Sequence, residues 1–156
     1  MMSEETVVKT LAGQTFFKGL SEEHLADLAA LATEIEVAAG DLIFEEGGDA
    51  DSAYAIVEGA VALELNISHR THHIVQTLHA GELLGWSWLF PPHRWSFSAL
   101  ALDPTHLIRF DAEQLRAKQE ADCALGFEMM KRFAHVMTSR LAATRLQLVD
   151  FYGHPR

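Results

Sequence analysis

The residues best suited to chemistry lie in one stretch, Leu78–Phe97, where two glycines, three tryptophans and an arginine follow one another closely. A β-type run meets a turn at Gly81, and a short apolar segment begins at Gly85 and stops at two consecutive prolines, which end a helix. The free backbone N–H groups at the start of such a one-turn helix form a site for an anion. Arg94 follows a few residues later and can close over the same anion with its guanidinium fork.

Composition restricts the partners of this site. The chain has 156 residues, 12 basic and 22 acidic, and a formal net charge of -10, so its surface repels nucleic-acid phosphates. We therefore expect no direct DNA binding by this chain. Much of its sparse positive charge gathers late in the sequence, where a small anion could use it: Lys131, Arg132, Arg140 and Arg145.

The cysteine content and the N-terminal sequence indicate the compartment. A single cysteine, Cys123, excludes an internal disulfide framework and suits a reducing cytoplasm. The acidic start and the interrupted apolar residues after it predict neither a signal peptide nor a membrane span. We expect a cytoplasmic protein with one domain over residues 1–156.

The elements that position this stretch are predicted from periodicity and turn residues. Helices are expected over residues 11–36, with a short one around Leu11 to Leu20 and a second capped by Ser21. Over residues 37–110, Gly- and Pro-containing turns separate short β-rich runs, a pattern typical of a sandwich, jelly roll or barrel. The predicted strands are Asp41 to Phe44, Ala53 to Val57, Val61 to Leu65, Ile74 to Leu78, Trp95 to Ala101, and Leu107 to Phe110.

Residues 111–152 are predicted to be helical. Asp111 and Gln114 form a capping box for a short helix, and a long helix of roughly 45 Å starts near Asp122 and runs to about Tyr152. Its apolar residues recur at intervals of three and four, as in a helix-pairing seam. The first half of the seam fits packing within the chain, and the second half fits a two-fold partner helix. The seam residues are Met130, Phe133, Met137, Leu141, Thr144, Leu148 and Phe151.

Three motifs, together with this order of elements, resemble the cyclic-nucleotide-binding domain over residues 16–152. They are residues 16–21 (FFKGLS), 39–47 (AGDLIFEEG) and 53–61 (AYAIVEGAV). The resemblance implies an antiparallel jelly-roll barrel, a double-stranded β-helix, with a phosphate-binding cassette at residues 78–97. In bacterial regulators similar to catabolite activator protein, a long helix after the barrel forms the dimer and a helix-turn-helix follows. Only residues 153–156 follow the helix here, so we expect no DNA-reading half.

The cassette departs from the family pattern. Taking Gly81 as the upstream turn glycine makes Gly85 the cassette glycine and puts Trp86 in place of a glutamate that accepts from a ribose hydroxyl. Arg94 matches the phosphate-binding arginine, and Trp95 replaces its small neighbour. A second register instead uses the Gly-Glu-Leu sequence at residues 81–83, with Glu82 as the acid.

In the first register, cyclic AMP or cyclic GMP binding is expected to be weak, because an indole N–H only donates and the hydroxyl loses its acceptor. The cassette could instead hold a flatter anion between tryptophans, or the indoles could fill the pocket and leave a ligand-free interaction module. The resemblance further implies that Arg140 and Thr144, one helical turn apart, reach the ligand; the alternative is an ordinary helix cation and a polar seam residue. The predicted ligand-binding residues are Gly85, Trp86, Ser87, Trp88, Arg94, Trp95, Arg140 and Thr144.

Other chemistry has weaker support in the sequence. His69, His72 and His73 fall on a predicted hairpin tip with poor chelating geometry, so no metal site is expected. Haem is a lower alternative, since gas sensors exist in the resembled superfamily; its possible axial ligands are His79, His135, Cys123 and Met137. No catalytic motif is present. The sequence thus predicts a non-catalytic, ligand-sensing regulatory domain that forms a homodimer and signals to another protein.

Overall fold

The computed structural model describes residues 2–68 and 71–153, so His69 of the predicted hairpin tip lies outside the described residues. The chain divides into two compact units, Met1–Lys118 and Gln119–Arg156. The elements in chain order are α1 (Glu4–Ala12), α2 (Glu22–Ala29), β1 (Ala32–Val37), β2 (Leu42–Phe44), β3 (Ser52–Glu58), β4 (Ala60–Ser68), β5 (Thr71–His79), β6 (Ser98–Ala101), β7 (Thr105–Asp111), α3 (Ala112–Ala121) and α4 (Cys123–Gly153).

The strands of the first unit form two antiparallel sheets, with the orders β1-β7-β3 and β2-β6-β4-β5. A buried apolar cluster draws on both sheets, for example Leu107 from the first sheet and Leu63 and Leu78 from the second. The two sheets therefore pack face to face as a sandwich. The expected closed barrel is wrong for the described residues, because no strand pairing there joins one sheet to the other.

Each predicted strand is found, although one is shorter than predicted. The structure also contains one strand, β1, that was not predicted. The run predicted from Trp95 becomes a strand only at Ser98, since the backbone of Trp95 bonds instead to Gly48. Strand β1 occupies residues 32–37, of which residues 32–36 fell within the range predicted for the N-terminal helices. It pairs with β7 from Ala32↔Phe110 to Val37↔Thr105.

The N-terminal helices also differ from the prediction. Helix α1 begins earlier than the predicted helix at Leu11 to Leu20, and turns follow it over residues 13–19. Ser3 caps α1 by accepting from the backbone N–H of Thr6 at 3.2 Å. Ser21 caps α2 as predicted, since its hydroxyl accepts from the backbone N–H of His24 at 3.1 Å.

Helix α3 begins at the predicted cap, where the Asp111 carboxylate accepts from the backbone N–H of Gln114 at 2.9 Å. In the second unit, α4 has 31 residues, which gives a length of about 46 Å. The Asp122 carboxylate accepts from the backbone N–H of Leu125 at 3.2 Å, at the start predicted for this helix. Leu125, Met129 and Phe133 are buried, whereas every residue from 141 to 153 is exposed.

Two glycines with positive φ provide a matched test of the turns between strands. An added Cβ at Gly59 (φ 113°) would lie 2.5 Å from the Thr105 hydroxyl and 2.9 Å from the Pro104 carbonyl oxygen. At Gly40 (φ 90°) it would meet nothing within 4 Å. We expect Gly40→Ala to lower the free energy of unfolding by about 1 kcal/mol through backbone strain alone.

Gly59→Ala adds a steric clash with backbone atoms, so we expect it to cost at least about 2 kcal/mol more than Gly40→Ala. Urea unfolding of the two variants, compared by midpoint and slope, measures this difference. Equal losses in the two variants would contradict the close approach of β3–β4 and β6–β7 turns described here.

Candidate functional site

The entry to the cassette is fixed by backbone hydrogen bonds to β3. Gly81 (φ 95°) donates its N–H to the Ile56 carbonyl at 2.9 Å, and Ile56 donates its own to the Glu82 carbonyl at 3.0 Å. Leu84 then donates to the Tyr54 carbonyl at 2.9 Å. These bonds hold the chain against β3 as far as Gly85, whose φ of 101° favours glycine.

A one-turn helix was predicted to begin at Gly85, but the structure forms an isolated hydrogen-bonded turn there and not a helix. The Leu89 N–H donates to the Trp86 carbonyl at 2.9 Å, and a second turn is closed by the His93 N–H on the Phe90 carbonyl at 2.9 Å. Neither turn is long enough to present the row of free N–H groups that an α-helix offers. Any anion held here therefore depends on side chains more than on a helix terminus.

Trp88 lies at the centre of this segment and has no exposed surface. Its indole N–H donates to the Gly85 carbonyl at 3.2 Å, and its own carbonyl accepts from the Arg116 guanidinium of α3. Trp86 and Ser87 beside it are half-buried. Of the predicted ligand residues, Trp88 is thus a core side chain, while its two neighbours keep some accessible surface.

Trp95 is buried as well, and its ring stacks on Phe44 with centroids 3.7 Å apart and planes 8° apart. Tyr54 also stacks on Phe44, with ring centroids 6.1 Å apart. A Cβ added to Gly85 would lie 3.7 Å from the Trp95 ring, so the structure brings these two predicted site residues together. Trp95 stands here in protein packing and not against open solvent.

Arg94 faces the loop between β2 and β3. Its guanidinium donates to the Gly47 carbonyl at 3.0 Å and lies 3.4 Å from the Asp49 carboxylate, with 58% of the side chain exposed. Three backbone bonds hold the two segments together: Gly47 N–H to the Trp95 carbonyl, Trp95 N–H to the Gly48 carbonyl and Ala50 N–H to the His93 carbonyl. No local signal in the sequence pairs Asp49 with Arg94.

Glu82, the acid of the second cassette register, is used inside its own turn. Its carboxylate accepts from the backbone N–H of His79 at 2.7 Å. The two remaining predicted residues lie on α4, in the second unit. There, the exposed Thr144 hydroxyl donates to the Arg140 carbonyl at 2.9 Å, and the Arg140 side chain is half-exposed.

A concavity of about 500 Å³ lies at the β1–β7–β3 sheet, away from the cassette, and is lined in part by Glu36, Glu58 and His106. Glu34 lies next to this concavity. The pKa of the Glu34 carboxyl is lowered by the hydrogen bond from the Met2 N–H and by a hydrogen bond with the His106 ring at 2.7 Å. With acidic groups and no arginine or lysine in its lining, this concavity is unsuited to an anion.

The structure also describes the candidate metal and haem ligands, apart from His69. Within residues 2–68 and 71–153, no three His, Cys, Asp or Glu side chains are grouped as a metal site. His72 lies 3.6 Å from the Glu64 carboxylate. Three of the four haem-ligand candidates, His79, Cys123 and His135, are exposed, and Met137 is half-buried.

The structure predicts very different stability roles for the two adjacent residues of the cassette. Arg94→Ala removes an exposed ion pair, so we expect the free energy of unfolding to fall by about 1 kcal/mol or less. Trp95→Ala empties a buried stack, and we expect a loss of about 3 to 5 kcal/mol. Urea unfolding measures both; a loss for Arg94→Ala as large as that for Trp95→Ala would mean that the guanidinium serves the fold.

This geometry is that of a small two-sheet β-sandwich domain with a glycine-and-arginine loop between β5 and β6. The sequence profile of the cyclic nucleotide-binding domain matches residues 34–122. The chain belongs to that family.

Individual proteins agree with this assignment. A cAMP/cGMP-dependent 3',5'-cAMP/cGMP phosphodiesterase B of Dictyostelium discoideum is 30% identical over 104 residues, which cover 62% of this chain and 9% of that protein. A Geobacter metallireducens GS-15 crystal structure, provisionally assigned as a cyclic nucleotide-binding protein, is 29% identical, with a TM-score of 0.76 and coverage of 90% of this chain and 99% of that chain. The sensor domain of the transcriptional regulator DNR from Pseudomonas aeruginosa shares the fold at 16% identity, with a TM-score of 0.73 and coverage of 89% and 93%. In the described ranges, no helix combines the length and the apolar character that crossing a membrane requires.

Proposed function

We propose that this chain is a non-catalytic sensing domain that binds a small anion of the cyclic nucleotide class at the cassette of residues 78–97. The observation that carries the proposal is the state of Arg94, the arginine that follows the cassette glycine Gly85. Its guanidinium is more than half exposed and is held by Asp49 and a backbone carbonyl. A guanidinium in this position is available to an incoming anion.

The energetics favour exchange of partners at Arg94. An exposed ion pair of this kind stabilises a protein by about 0 to 1 kcal/mol, so releasing Asp49 costs little. A cyclic phosphate would offer two oxygens to the guanidinium fork, which gives shorter and stronger hydrogen bonds than a neutral carbonyl does. The phosphate can therefore compete with the loop for the same side chain.

The residues around Arg94 argue for weak binding of an ordinary cyclic nucleotide. In the first cassette register Trp86 stands where the family has an acid, and in the second register the acid, Glu82, is engaged by the His79 N–H. A ribose hydroxyl without an acceptor loses about 1 to 3 kcal/mol, or roughly five- to more than a hundredfold in affinity. Cyclic AMP, cyclic GMP or a flatter and less polar anion beside the half-buried Trp86 are the ligands that fit this proposal.

A second candidate function is a ligand-free interaction module. The packing of Trp95 on Phe44 and the complete burial of Trp88 favour it, because both indoles occupy interior space. Under this alternative the domain uses the cassette only as structure, and Arg94 remains on its loop.

We also propose that the chain forms a homodimer through α4. It would be a single sensing domain with jelly-roll connectivity, and it would pass its signal to another protein in the cytoplasm. Support comes from the last turns of α4, where large apolar side chains are exposed: Leu141, Leu146, Leu148, Val149, Phe151 and Tyr152. In a two-fold helix pair, the seam through Leu141 and Leu148 would be covered. Arg140 and Thr144 lie along the same helix, so ligand contact and dimer contact would be linked.

Titration with cyclic AMP and cyclic GMP tests the ligand. We expect dissociation constants in the low micromolar range or higher. The melting temperature should rise with nucleotide concentration by mass action, since the free energy of unfolding gains about 2.7 kcal/mol at a hundredfold excess over Kd. Arg94→Ala should abolish the shift. Lys9→Ala is the control, because it removes a cation that is even more exposed than Arg94 (78% against 58%) and that pairs only weakly with Glu5 at 3.8 Å.

Two results would decide against this proposal. A protein that ignores both nucleotides and a wider library of small anions would be the interaction module. Equal loss of binding in Arg94→Ala and Lys9→Ala would show that net charge, and not the cassette arginine, attracts the ligand.

The dimer has its own test. Leu148→Asp places a charge on the seam, and we expect sedimentation velocity at micromolar concentration to show a monomer. Leu146→Asp is the control. Leu146 is also exposed, at 67% against 53% for Leu148, but two residues away along the helix it points to the other side, so the dimer should survive. A wild-type monomer, or identical behaviour of the two variants, would refute the seam.

A further inference from the structure

We infer that Arg116 is a positioning residue that ties the cassette turn to α3, so that a change in the cassette reaches that helix. The hydrogen bond from its guanidinium to the Trp88 carbonyl carries this inference. The inference rests on the proposed function for the event that moves the cassette, but the tether itself can be tested without a ligand.

Trp88 is the fixed point of the cassette turn. Its ring is fully buried, and its indole N–H bonds to the Gly85 carbonyl three residues earlier. The Trp88 ring and the turn at residues 86–89 are therefore coupled, and we expect a displacement of Gly85 or Trp86 to move both together. A backbone carbonyl in such a place requires a donor, because leaving it without one costs about 1 to 3 kcal/mol.

Arg116 supplies that donor from α3, which lies far from Trp88 in sequence. Its side chain is half-buried, so solvent weakens the charge-assisted bond less than it would at the surface. Ala112 and Leu115, which precede it in the helix, are buried, so this part of α3 is held in the core and can transmit a displacement of Arg116.

The other arm of the cassette also ends on α3, through backbone atoms. The His93 carbonyl accepts from Ala50, and the neighbouring Asp51 carbonyl accepts from Ala112, the first residue of α3. Both sides of the Pro-Pro turn therefore connect to one helix. Arg116 is the connection that a side-chain substitution can cut, whereas the backbone route remains in every variant.

The consequence is a direction for the signal. Along the chain, α3 is followed after Asp122 by α4, the helix that carries the proposed dimer seam. A cassette that shifts on binding would first change α3, and Arg116 would set how much of the shift arrives.

Hydrogen exchange of the full chain, read by mass spectrometry, tests the tether. In the ligand-free protein, Gly85→Ala perturbs the turn, because φ at Gly85 is 101°. We expect this change to increase exchange at residues 112–118 as well as at 85–90. In an Arg116→Gln background the increase at 112–118 should be at least threefold smaller, and Arg116→Lys, which keeps a cationic donor, should restore most of it.

The same peptides are followed with cyclic AMP, at concentrations up to millimolar. In wild type we expect altered exchange in the cassette and in residues 112–118, and in Arg116→Gln an alteration confined mainly to the cassette, with affinity within about threefold of wild type. A wild type that does not respond to nucleotide refutes the proposed function alone, because the Gly85→Ala comparison still decides on the tether.

Three outcomes would overturn the inference. The first is an equal increase at residues 112–118 in the wild-type and Arg116→Gln backgrounds. The second is no increase there in the wild-type background. The third is failure of Arg116→Lys to restore coupling when its urea midpoint matches that of wild type, since a merely structural role would then explain Arg116→Gln.

Discussion

The stacking of Trp95 on Phe44 is the constraint from which the character of the cassette follows. Successive side chains of an extended segment point to opposite sides. Because Trp95 is drawn into the interior, its neighbour Arg94 is turned outward, where it meets the loop that carries Asp49. One large aromatic side chain thus determines both what fills the interior and where the cation stands.

The parts of the fold that were predicted correctly depend on local signals. Ser21 and Asp111 cap their helices as their spacing indicates, and glycine-bounded runs become strands. Strand β1 was missed because Ala32 continues a helical apolar stripe, while its true conformation is decided by pairing with Phe110, far away in sequence. The closed barrel failed for the same kind of reason, since pairing between sheet edges leaves no trace in a single run of residues.

For the candidate site, sequence located the segment but not the directions of its side chains. Gly85, Trp86 and Arg94 were chosen by residue type and spacing, and the loop does lie where the family profile matches. The partner of Arg94 depends on three backbone bonds between two turns, 47–50 and 93–95, and turn-to-turn pairing has no sequence period. Arg116 was missed because its sequence context is that of an ordinary helix cation. Its inferred role depends on its hydrogen bond to the carbonyl of Trp88 and on the burial of Trp88, neither of which the sequence shows.

The exposed end of α4 has a consequence for the shape of the chain at low concentration. Residues 141–153 are covered by nothing in a single copy, and an isolated helix of about that length is only marginally stable in water. Its last turns would therefore fray when the protein is dilute and would become ordered in the proposed dimer. Folding of this segment and self-association would then be one equilibrium, so that circular dichroism would vary with protein concentration.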